Sequence, residues 1–338
     1  MNVALILWGY AAVLATVGGV AMRRAGWVDR APRLAIATWQ ALSLSTLLAV
    51  AFGGLALIVP THLLSVSLAH WVESCAMMLR AQYATPGGAA LATSGLVLAM
   101  AVLARWAYYS VVEFSRNAAA RRRHHDVLAL VGRAALDPGV TVLDDDRPYV
   151  YCVAGRRHRI VLTTGASSRL DTAQMSAVLA HERAHLRGRH HLVIGAAGAL
   201  ARAFPWLPMF AVARDEVTRL VELVADDRAS RSVHRFDLAE AMLTLSAGAP
   251  PAGALAIGGS SAAARVRRLI AGHRPIQAWA VAVGVSAVVT LVAAPLIALA
   301  TPAVMAGPDC CATEQQHAAA AEECWSASPG CLHLPVRG

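Results

Sequence analysis

His181-Glu182-Arg183-Ala184-His185 decides how this chain is interpreted, because it is an HExxH sequence inside the alanine- and leucine-rich run 171–189. That run predicts a helix. Two histidines four positions apart lie on one face of a helix, so both imidazoles can reach one metal ion. The glutamate beside the first histidine can then take a proton from a water molecule on that metal. The stretch therefore predicts the working part of a zinc hydrolase.

The flanking residues favour a helix at this point. Asp171 precedes the run and Gln174 occupies the third helical position, which is the pattern of a capping box. HExxH fixes only three residues, however, and a chain with 13 histidines can place two of them four apart by accident. A second acidic helix downstream and the membrane-like build of the chain support the metal interpretation.

The composition indicates a membrane protein with a substantial polar part. Of the 338 residues, 57% are hydrophobic and only 15% are charged. That is too apolar for an ordinary soluble enzyme and not apolar enough for a pure membrane bundle. The net charge is +9 and all 30 basic residues are arginine. Because these arginines are spread out and lack interleaved aromatics, direct nucleic-acid binding is not expected.

Four apolar segments are long enough to span a bilayer, which needs about 20 residues. They are residues 3–22, 34–59, 89–112 and 276–306. Arg105 interrupts the third segment near one end, where it can snorkel to the interface. The spans predict four regions: a three-span membrane region (1–112), a zinc metallopeptidase domain (113–275), a fourth transmembrane helix (276–306) and a short Cys-containing tail (307–338).

Arginine placement predicts the orientation of these spans. Clusters of arginine lie between the first two spans, after the third span and before the fourth. By the positive-inside rule, the block 113–275 is cytoplasmic and both termini are extracytoplasmic. We therefore expect a multi-pass plasma-membrane protein.

The cysteines agree with this orientation. Only Cys152 falls in the inner block, and the other five fall on the predicted outer side, where disulfides can form. We expect a structural disulfide in the tail, with the pairing open, among Cys75, Cys310, Cys311, Cys324 and Cys331.

The predicted cytoplasmic block combines helices with a small sheet. Residues 121–136 read as a helix, and 140–143, 149–153 and 159–163 read as strands of a small antiparallel sheet. An edge strand of such a sheet commonly holds an extended peptide substrate in proteases. The apolar, proline-broken stretch 192–212 is interpreted as an interfacial helix near the inner leaflet.

Two residues compete for the third metal-ligand position. Glu222 lies one helical turn before Asp226, so one carboxylate can bind metal and the other can orient a ligand histidine. His191 completes HExxHxxGxxH, with Gly188 at the turning position and Met209 downstream. The apolar pattern after His191 continues a helix, so Gly188 need not turn the chain. Glu222 is therefore preferred.

The sequence resembles the BlaR/MecR-type integral-membrane zinc metallopeptidases, which are related to the HtpX and CAAX-protease group of membrane gluzincins. The resemblance is carried by His181-Glu182-x-x-His185 and Glu222-x-x-x-Asp226, placed between a third and a fourth span. It covers about residues 1–306 in architecture and about 120–235 in motif detail. It implies a mainly α membrane protein with a cytoplasmic α+β zincin-like metallopeptidase domain.

The resemblance also implies a role for each motif residue. His181, His185 and Glu222 would bind Zn²⁺, with water in the fourth position. Glu182 would be the general base and would later protonate the leaving amine. Asp226 would hydrogen-bond a ligand histidine and fix its tautomer.

The chain departs from the receptor members of that family, which carry a penicillin-binding sensor domain after the fourth span. The segment 307–338 contains no Ser-x-x-Lys, so we do not expect β-lactam sensing by acylation. We expect an endopeptidase that acts in regulatory signalling on a protein or peptide substrate, with a cytoplasmic transcriptional repressor as one candidate. The alternatives are a signalling scaffold and an inactive homologue acting as a membrane partner.

Overall fold

The computed structural model describes residues 2–58, 87–135, 137–155, 158–246, 260–272 and 276–300. The predictions for the disulfides and for the tail 307–338 lie outside these residues. Contacts divide the chain into two units. The first joins Met1–Trp8, Val50–Ala99 and Ala294–Gly338, and the second joins Gly9–Ala49 and Met100–Ala293.

Long apolar helices account for the four predicted spans. Helices α1 (Asn2–Val13) and α2 (Gly19–Arg24) are joined by a π-helical turn at Leu14–Gly18, and the others are α3 (Pro32–Leu55), α4 (Gly88–Val131) and α11 (Ala278–Ala300). Within the described part of the chain, four stretches are long and apolar enough to cross a membrane: Val3–Arg24, α3, α4 and α11.

In the first unit, small residues allow two helices to approach closely. A Cβ added at Gly54 of α3 would collide with the carbonyl oxygen of Gly95 on α4, and the reverse is also true. Trp8 donates its indole N–H to the Val50 carbonyl, at 3.3 Å. Glycine pairs of this kind are typical of helices that pack in a membrane.

In the second unit, hydroxyl groups from two helices meet one carbonyl of α11. The Leu291 carbonyl accepts from the Ser45 hydroxyl at 2.6 Å and from the Tyr10 hydroxyl at 3.1 Å. Pro295 stands four positions after Leu291 and has no N–H to donate to that carbonyl. Tyr10 and Ser45 therefore satisfy a backbone acceptor that the helix itself leaves without its usual partner.

Helix α4 is continuous, which corrects the predicted separate helix at 121–136. It runs without a proline from Gly88 to Val131 and ends before Gly132. A Cβ at Gly132 would collide with the Thr141 side chain and the Leu128 carbonyl. This close approach to the next strands ends the helix five residues earlier than predicted. Leu136 lies outside the described residues.

The sheet has four strands in the order β1-β2-β4-β3. They are β1 (Arg133–Ala134), β2 (Val140–Leu143), β3 (Val150–Val153) and β4 (Arg159–Thr163). The three predicted strand positions are confirmed, but the prediction of a wholly antiparallel sheet is wrong. Strands β3 and β4 form the expected antiparallel pair, whereas β2 pairs with β4 in parallel. The reason is the strand order. After β2 the chain forms β3 at the edge of the sheet, and β4 then lies between β2 and β3, antiparallel to β3 and parallel to β2.

The remaining helices of the second unit follow the sheet. They are α5 (Thr164–Ser167), α6 (Thr172–Arg187), α7 (His190–Ala203), α8 (Pro208–Ala229), α9 (Arg235–Ser246) and α10 (Ser260–Ala271).

The two faces of the sheet contact different helices, as expected from the alternation of side chains along a strand. Val150, Ile160 and Leu162 belong to a core with Val178 of α6. Val153 and Val161 point to the other side and pack with Leu128 of α4.

The chain between α6 and α8 changes direction at two places. Gly188 ends α6, and Arg189 adopts a left-handed backbone conformation (φ 48°) before α7 begins. The helix is interrupted here, but Gly188 keeps a right-handed helical backbone conformation and Arg189 is the residue that turns the chain. The stretch 192–212 is also not one interfacial helix: α7 and α8 form a hairpin that reverses across residues 204–207.

Candidate metal centre

Helix α6 begins at the predicted capping box. Asp171 accepts a hydrogen bond from the Gln174 backbone N–H at 2.8 Å, and the Gln174 side chain accepts from the Asp171 N–H at 3.3 Å. This start sets the helical phase of the HExxH motif. His181, Glu182 and His185 all lie on the buried side of the helix.

The two histidines of the motif meet one turn apart. Their Nε2 atoms are 3.0 Å apart, and the side chain of His181 is fully buried. Helix α8 runs past them and supplies Glu222. The Glu222 carboxylate oxygens lie 3.6 Å from His181 Nε2 and 3.5 Å from His185 Nε2. Two nitrogens and a carboxylate oxygen therefore converge on one point, within 4.8 Å of one another.

This donor set fits a zinc ion. Zinc binds histidine nitrogen and carboxylate oxygen at about 2.0–2.2 Å in a tetrahedral geometry, which separates ligand atoms by about 3.3–3.6 Å. The distances between the His181, His185 and Glu222 atoms are close to that range. Three protein ligands leave a fourth position for water, as catalytic zinc sites require.

His191 does not join this group. The left-handed Arg189 places His190, not His191, against the motif. The preference for Glu222 over His191 therefore agrees with the geometry.

Glu182 is a buried carboxyl group next to the convergence point. Only 5% of the residue is exposed, and the Cys152 thiol of β3 lies beside it. Burial raises the pKa of Glu182 to about 7. A carboxyl group with that pKa can both accept and return a proton near neutral pH.

Asp226 stands behind His181, one turn after Glu222. Its Oδ1 is 3.0 Å from His181 Nδ1, the ring nitrogen that faces away from the other two ligands. Burial opposes a charge on the His181 ring, but Asp226 and Glu222 outweigh burial and raise the pKa of His181 to about 9. A carboxylate at this position fixes the ring so that Nε2 faces the convergence point.

Arg265 is a site residue that the sequence did not predict. Helix α10 brings its guanidinium group into the centre, where the residue is 3% exposed. It donates to both Asp226 oxygens at 2.7 and 2.8 Å and lies 2.9 Å from a Glu222 oxygen. Burial raises the pKa of Asp226, but Arg265 outweighs it and holds that pKa well below its usual range. Arg265 thus offsets one of the two negative charges, and the protonated His181 ring supplies a second positive charge in the metal-free site.

His190 is the second unpredicted contact. Its Nδ1 lies 2.9 Å from His185 Nδ1, on the side of the ring away from Glu222. Burial lowers the pKa of His185 to about 3 and of His190 to about 4. Both rings are therefore neutral at pH 7, so one Nδ1 can donate to the other. With the proton on His185 Nδ1, its Nε2 is free to bind a metal. A Cβ at Gly188 would collide with the His190 ring, which explains the glycine.

The spacing of the motif residues does not reveal the roles of Arg265 and His190. Arg265 lies 39 positions after Asp226, in a cluster of arginines that the sequence interpretation assigned to the predicted edge of the fourth span. No local spacing connects it to the motif. His190 adjoins the motif, but which of the two neighbouring histidines faces His185 depends on the backbone at Arg189.

A buried pair of histidines and a carboxylate, with a buried glutamate on the same helix, defines a candidate metallopeptidase centre of the HExxH class. The comparison with protein families agrees. Residues 114–273, just under half of the chain, match the sequence model of Peptidase family M48.

One curated relative was also found. The chain is 34% identical over 87 residues to a protein named Protease HtpX homolog from Acidiphilium cryptum (strain JF-5). The matched segment covers 25% of this chain. The match spans 30% of the relative's length. No solved structure matches the chain. The chain is thus similar to Peptidase family M48 over residues 114–273, and its described part contains apolar helices long enough to cross a membrane.

Proposed function

We propose that this protein is a membrane-embedded zinc endopeptidase that hydrolyses peptide bonds of a protein substrate at the cytoplasmic face. One observation carries the proposal: His181, His185 and Glu222 converge from two helices, with the buried Glu182 beside them. The family match over the same part of the chain supports it.

In the proposed mechanism, His181, His185 and Glu222 hold zinc, which when bound polarises the scissile carbonyl and acidifies water. Glu182 takes the proton of the attacking water and then delivers it to the nitrogen of the leaving amine. Asp226 and His190 keep the two imidazoles oriented. Arg265 offsets one of the negative charges of Glu222 and Asp226, which lowers the cost of burying them.

The edge strand β3 supports a place for the substrate. Thr163 donates its N–H to the Tyr149 carbonyl, and hydrogen-bonded pairs alternate along an antiparallel ladder. Tyr151 therefore faces β4, whereas the backbone groups of Cys152 face away from the sheet. Because the Cys152 thiol lies beside Glu182, this free backbone is next to the proposed base. A peptide added to β3 would pass the metal centre in an extended conformation.

The finer assignments belong to the same proposal. The four apolar helices cross the plasma membrane, residues 113–275 form the cytoplasmic peptidase domain, and both termini are extracytoplasmic, as the arginine clusters predict. The BlaR/MecR-type resemblance favours a regulatory role, with a cytoplasmic repressor or a membrane protein as the substrate. A scaffold or an inactive homologue remains the alternative, and the complete ligand and base set argues against it.

The test is the zinc content of the detergent-purified protein, compared between wild type, Glu222→Ala and the matched control His191→Ala. We expect loss of metal in Glu222→Ala alone. Loss in His191→Ala alone would mean that the third ligand is wrong, and a wild type without zinc would overturn the peptidase proposal. With zinc present, Glu182→Gln should retain the metal and trap an uncleaved substrate.

A further inference from the structure

The hairpin of α7 and α8 has an uncharged end. No charged residue occurs between Arg202 and Arg214, and we call residues 203–213 the hairpin tip. Phe204 and Phe210 of the tip are buried, but Pro205 and Trp206 face outward, with 61% of Trp206 exposed. Tryptophan is enriched where proteins meet the membrane, so an exposed tryptophan at an uncharged turn is a candidate for contact with lipid.

The tip contacts α4 inside the predicted third span. Arg105 donates to the Ala203 carbonyl at 2.5 Å, and its guanidinium group lies 4.9 Å from the Trp206 ring centre. The Arg105 side chain therefore lies against the hairpin tip. Arg116, the first of the arginines that follow the span, is 11 residues away, or about 16 Å along the helix. Ala203 therefore lies about 16 Å on the membrane side of that arginine cluster.

The tip also contacts the helices of the first two spans. A Cβ at Gly19 would meet the Met209 side chain at 3.5 Å and the Trp39 ring at 3.8 Å. Gly19 and Trp39 both lie within apolar helices. Gly19 lies three residues inside the first predicted span, Trp39 five residues inside the second and Arg105 seven residues inside the third, so the tip contacts residues of all three spans below their cytoplasmic ends.

Two estimates from the rise of an ideal helix give the height of the metal centre relative to the arginine clusters. Glu222 follows Pro208 by 14 residues, or about 21 Å of helix, and the tip is about 16 Å deep, which places Glu222 about 5 Å outside the arginine level. Separately, Arg219 donates to Asp29 at 2.7 Å, and Asp29 lies in the arginine-rich link between the first two spans. Glu222 follows Arg219 by three residues, or about 4.5 Å. The two heights agree.

We infer that α7 and α8 form a re-entrant hairpin whose tip inserts into the acyl chains of the inner leaflet. The hairpin holds the metal centre close to the level of the arginine clusters, which lie just outside the predicted spans. The inference rests on the membrane embedding proposed above and not on peptidase activity. It assigns a lipid partner to the outward side of the tip, where Pro205 and Trp206 are exposed.

The test uses the full-length protein in lipid vesicles, with the six native cysteines replaced by serine and single spin labels introduced as cysteines. Labels at Val97, Leu192, Trp206 and Arg231 are compared by their collisions with lipid-soluble oxygen and with a water-soluble nickel chelate. All four positions have exposed side chains. A zinc content equal to that of the unlabelled protein shows that a labelled variant folds. If the label at position 206 lowers the zinc content, the label is placed at position 205 instead.

We expect oxygen-dominated collisions at Val97 and Trp206, nickel-dominated collisions at Arg231 and an intermediate ratio at Leu192. If Val97 is in lipid while Trp206 behaves like Arg231, the re-entrant hairpin is wrong and the membrane embedding stands. If Val97 also behaves like Arg231, the embedding proposal itself fails.

Discussion

Glu182 is a buried carboxyl group whose protonation state connects stability to activity. Burial raises its pKa from 4.5 to about 7. The folded metal-free protein therefore keeps the Glu182 proton up to about pH 7, whereas the unfolded chain releases it near pH 4.5. Between those two values the folded state binds more protons, and rising pH therefore destabilises it. This loss of folding stability is absent below about pH 4.5 and is complete above about pH 7.

We therefore expect Glu182→Gln to stabilise the metal-free protein at pH 8, by roughly 3 kcal/mol, and to have little effect at pH 4.5. The measurement is the Tm of the detergent-solubilised wild type and variant at both pH values. A difference in Tm that is the same at both would show that Glu182 does not titrate in this range. The variant should bind zinc and lack hydrolytic activity.

Arg265 gives a second prediction at the residue scale. Arg265→Met leaves the Asp226 and Glu222 carboxylates buried without their cation, which costs about 3–5 kcal/mol. The Tm of the metal-free variant should fall. Zinc should then raise the Tm of the variant more than that of wild type, because the metal supplies beside Glu222 the positive charge that Arg265 no longer provides.

The matched control is Arg267→Met, which changes an exposed arginine two positions further along α10. It should leave both the Tm and the response to zinc unchanged. Equal losses in the two variants would mean that helix α10, and not the buried guanidinium group, is responsible.

At the scale of elements, strand β3 allows the proposed substrate contact to be separated from the sheet itself. Proline at position 152 removes an N–H that faces away from β4, and edge strands tolerate this. Proline at position 151 removes an N–H that faces β4. We expect Cys152→Pro to fold and bind zinc with KM raised roughly 3–10-fold, and Tyr151→Pro to lower the Tm.

Cys152→Ala is the control for the thiol, since it retains the backbone N–H. Its KM should match that of wild type. A KM raised as much as in Cys152→Pro would assign the effect to the side chain beside Glu182 and contradict a backbone contact with substrate.

Local patterns predicted the elements better than their arrangement. The capping box at Asp171 and the strand positions followed from nearby residues, because caps and period-2 alternation are local. The parallel pairing of β2 with β4 depends on the path taken between strands, which no local pattern contains. The left-handed Arg189 was also missed, since arginine carries no preference for that conformation.

The same distinction applies to the candidate site. Histidines four apart bring two ligand atoms together on any helix, so the HExxH motif was readable from spacing. Glu222 was inferred from its acidic neighbour Asp226, one turn later. Arg265 reaches both carboxylates from a helix in a distant part of the sequence, and only tertiary structure shows that contact.

At the scale of the whole molecule, three apolar helices share one carbonyl group. The Leu291 acceptor depends on the Tyr10 and Ser45 hydroxyls because Pro295 donates nothing to it. The double substitution Tyr10→Phe and Ser45→Ala should lower the Tm. The expected loss of folding stability is roughly 1–3 kcal/mol, because a buried acceptor is left unsatisfied. In a Pro295→Ala background the loss should shrink, because an alanine N–H returns the helical partner. An equal loss in both backgrounds would contradict this account.

Helix α4 bears on a different property, the tolerance of the chain to changes in length. Its Arg105 holds the hairpin tip, and further along the same helix His124 contacts Tyr151 at 2.8 Å and Leu128 packs on the sheet. One extra residue between these contacts rotates everything beyond it by about 100°. The alanine run 118–120 has the composition of a spacer in which insertions would be harmless. Single insertions there should nevertheless separate the sheet from the hairpin, whereas a seven-residue insertion returns the helix to nearly its original phase and displaces it by about 10.5 Å. The number of residues in this run is therefore constrained even where their identity is not.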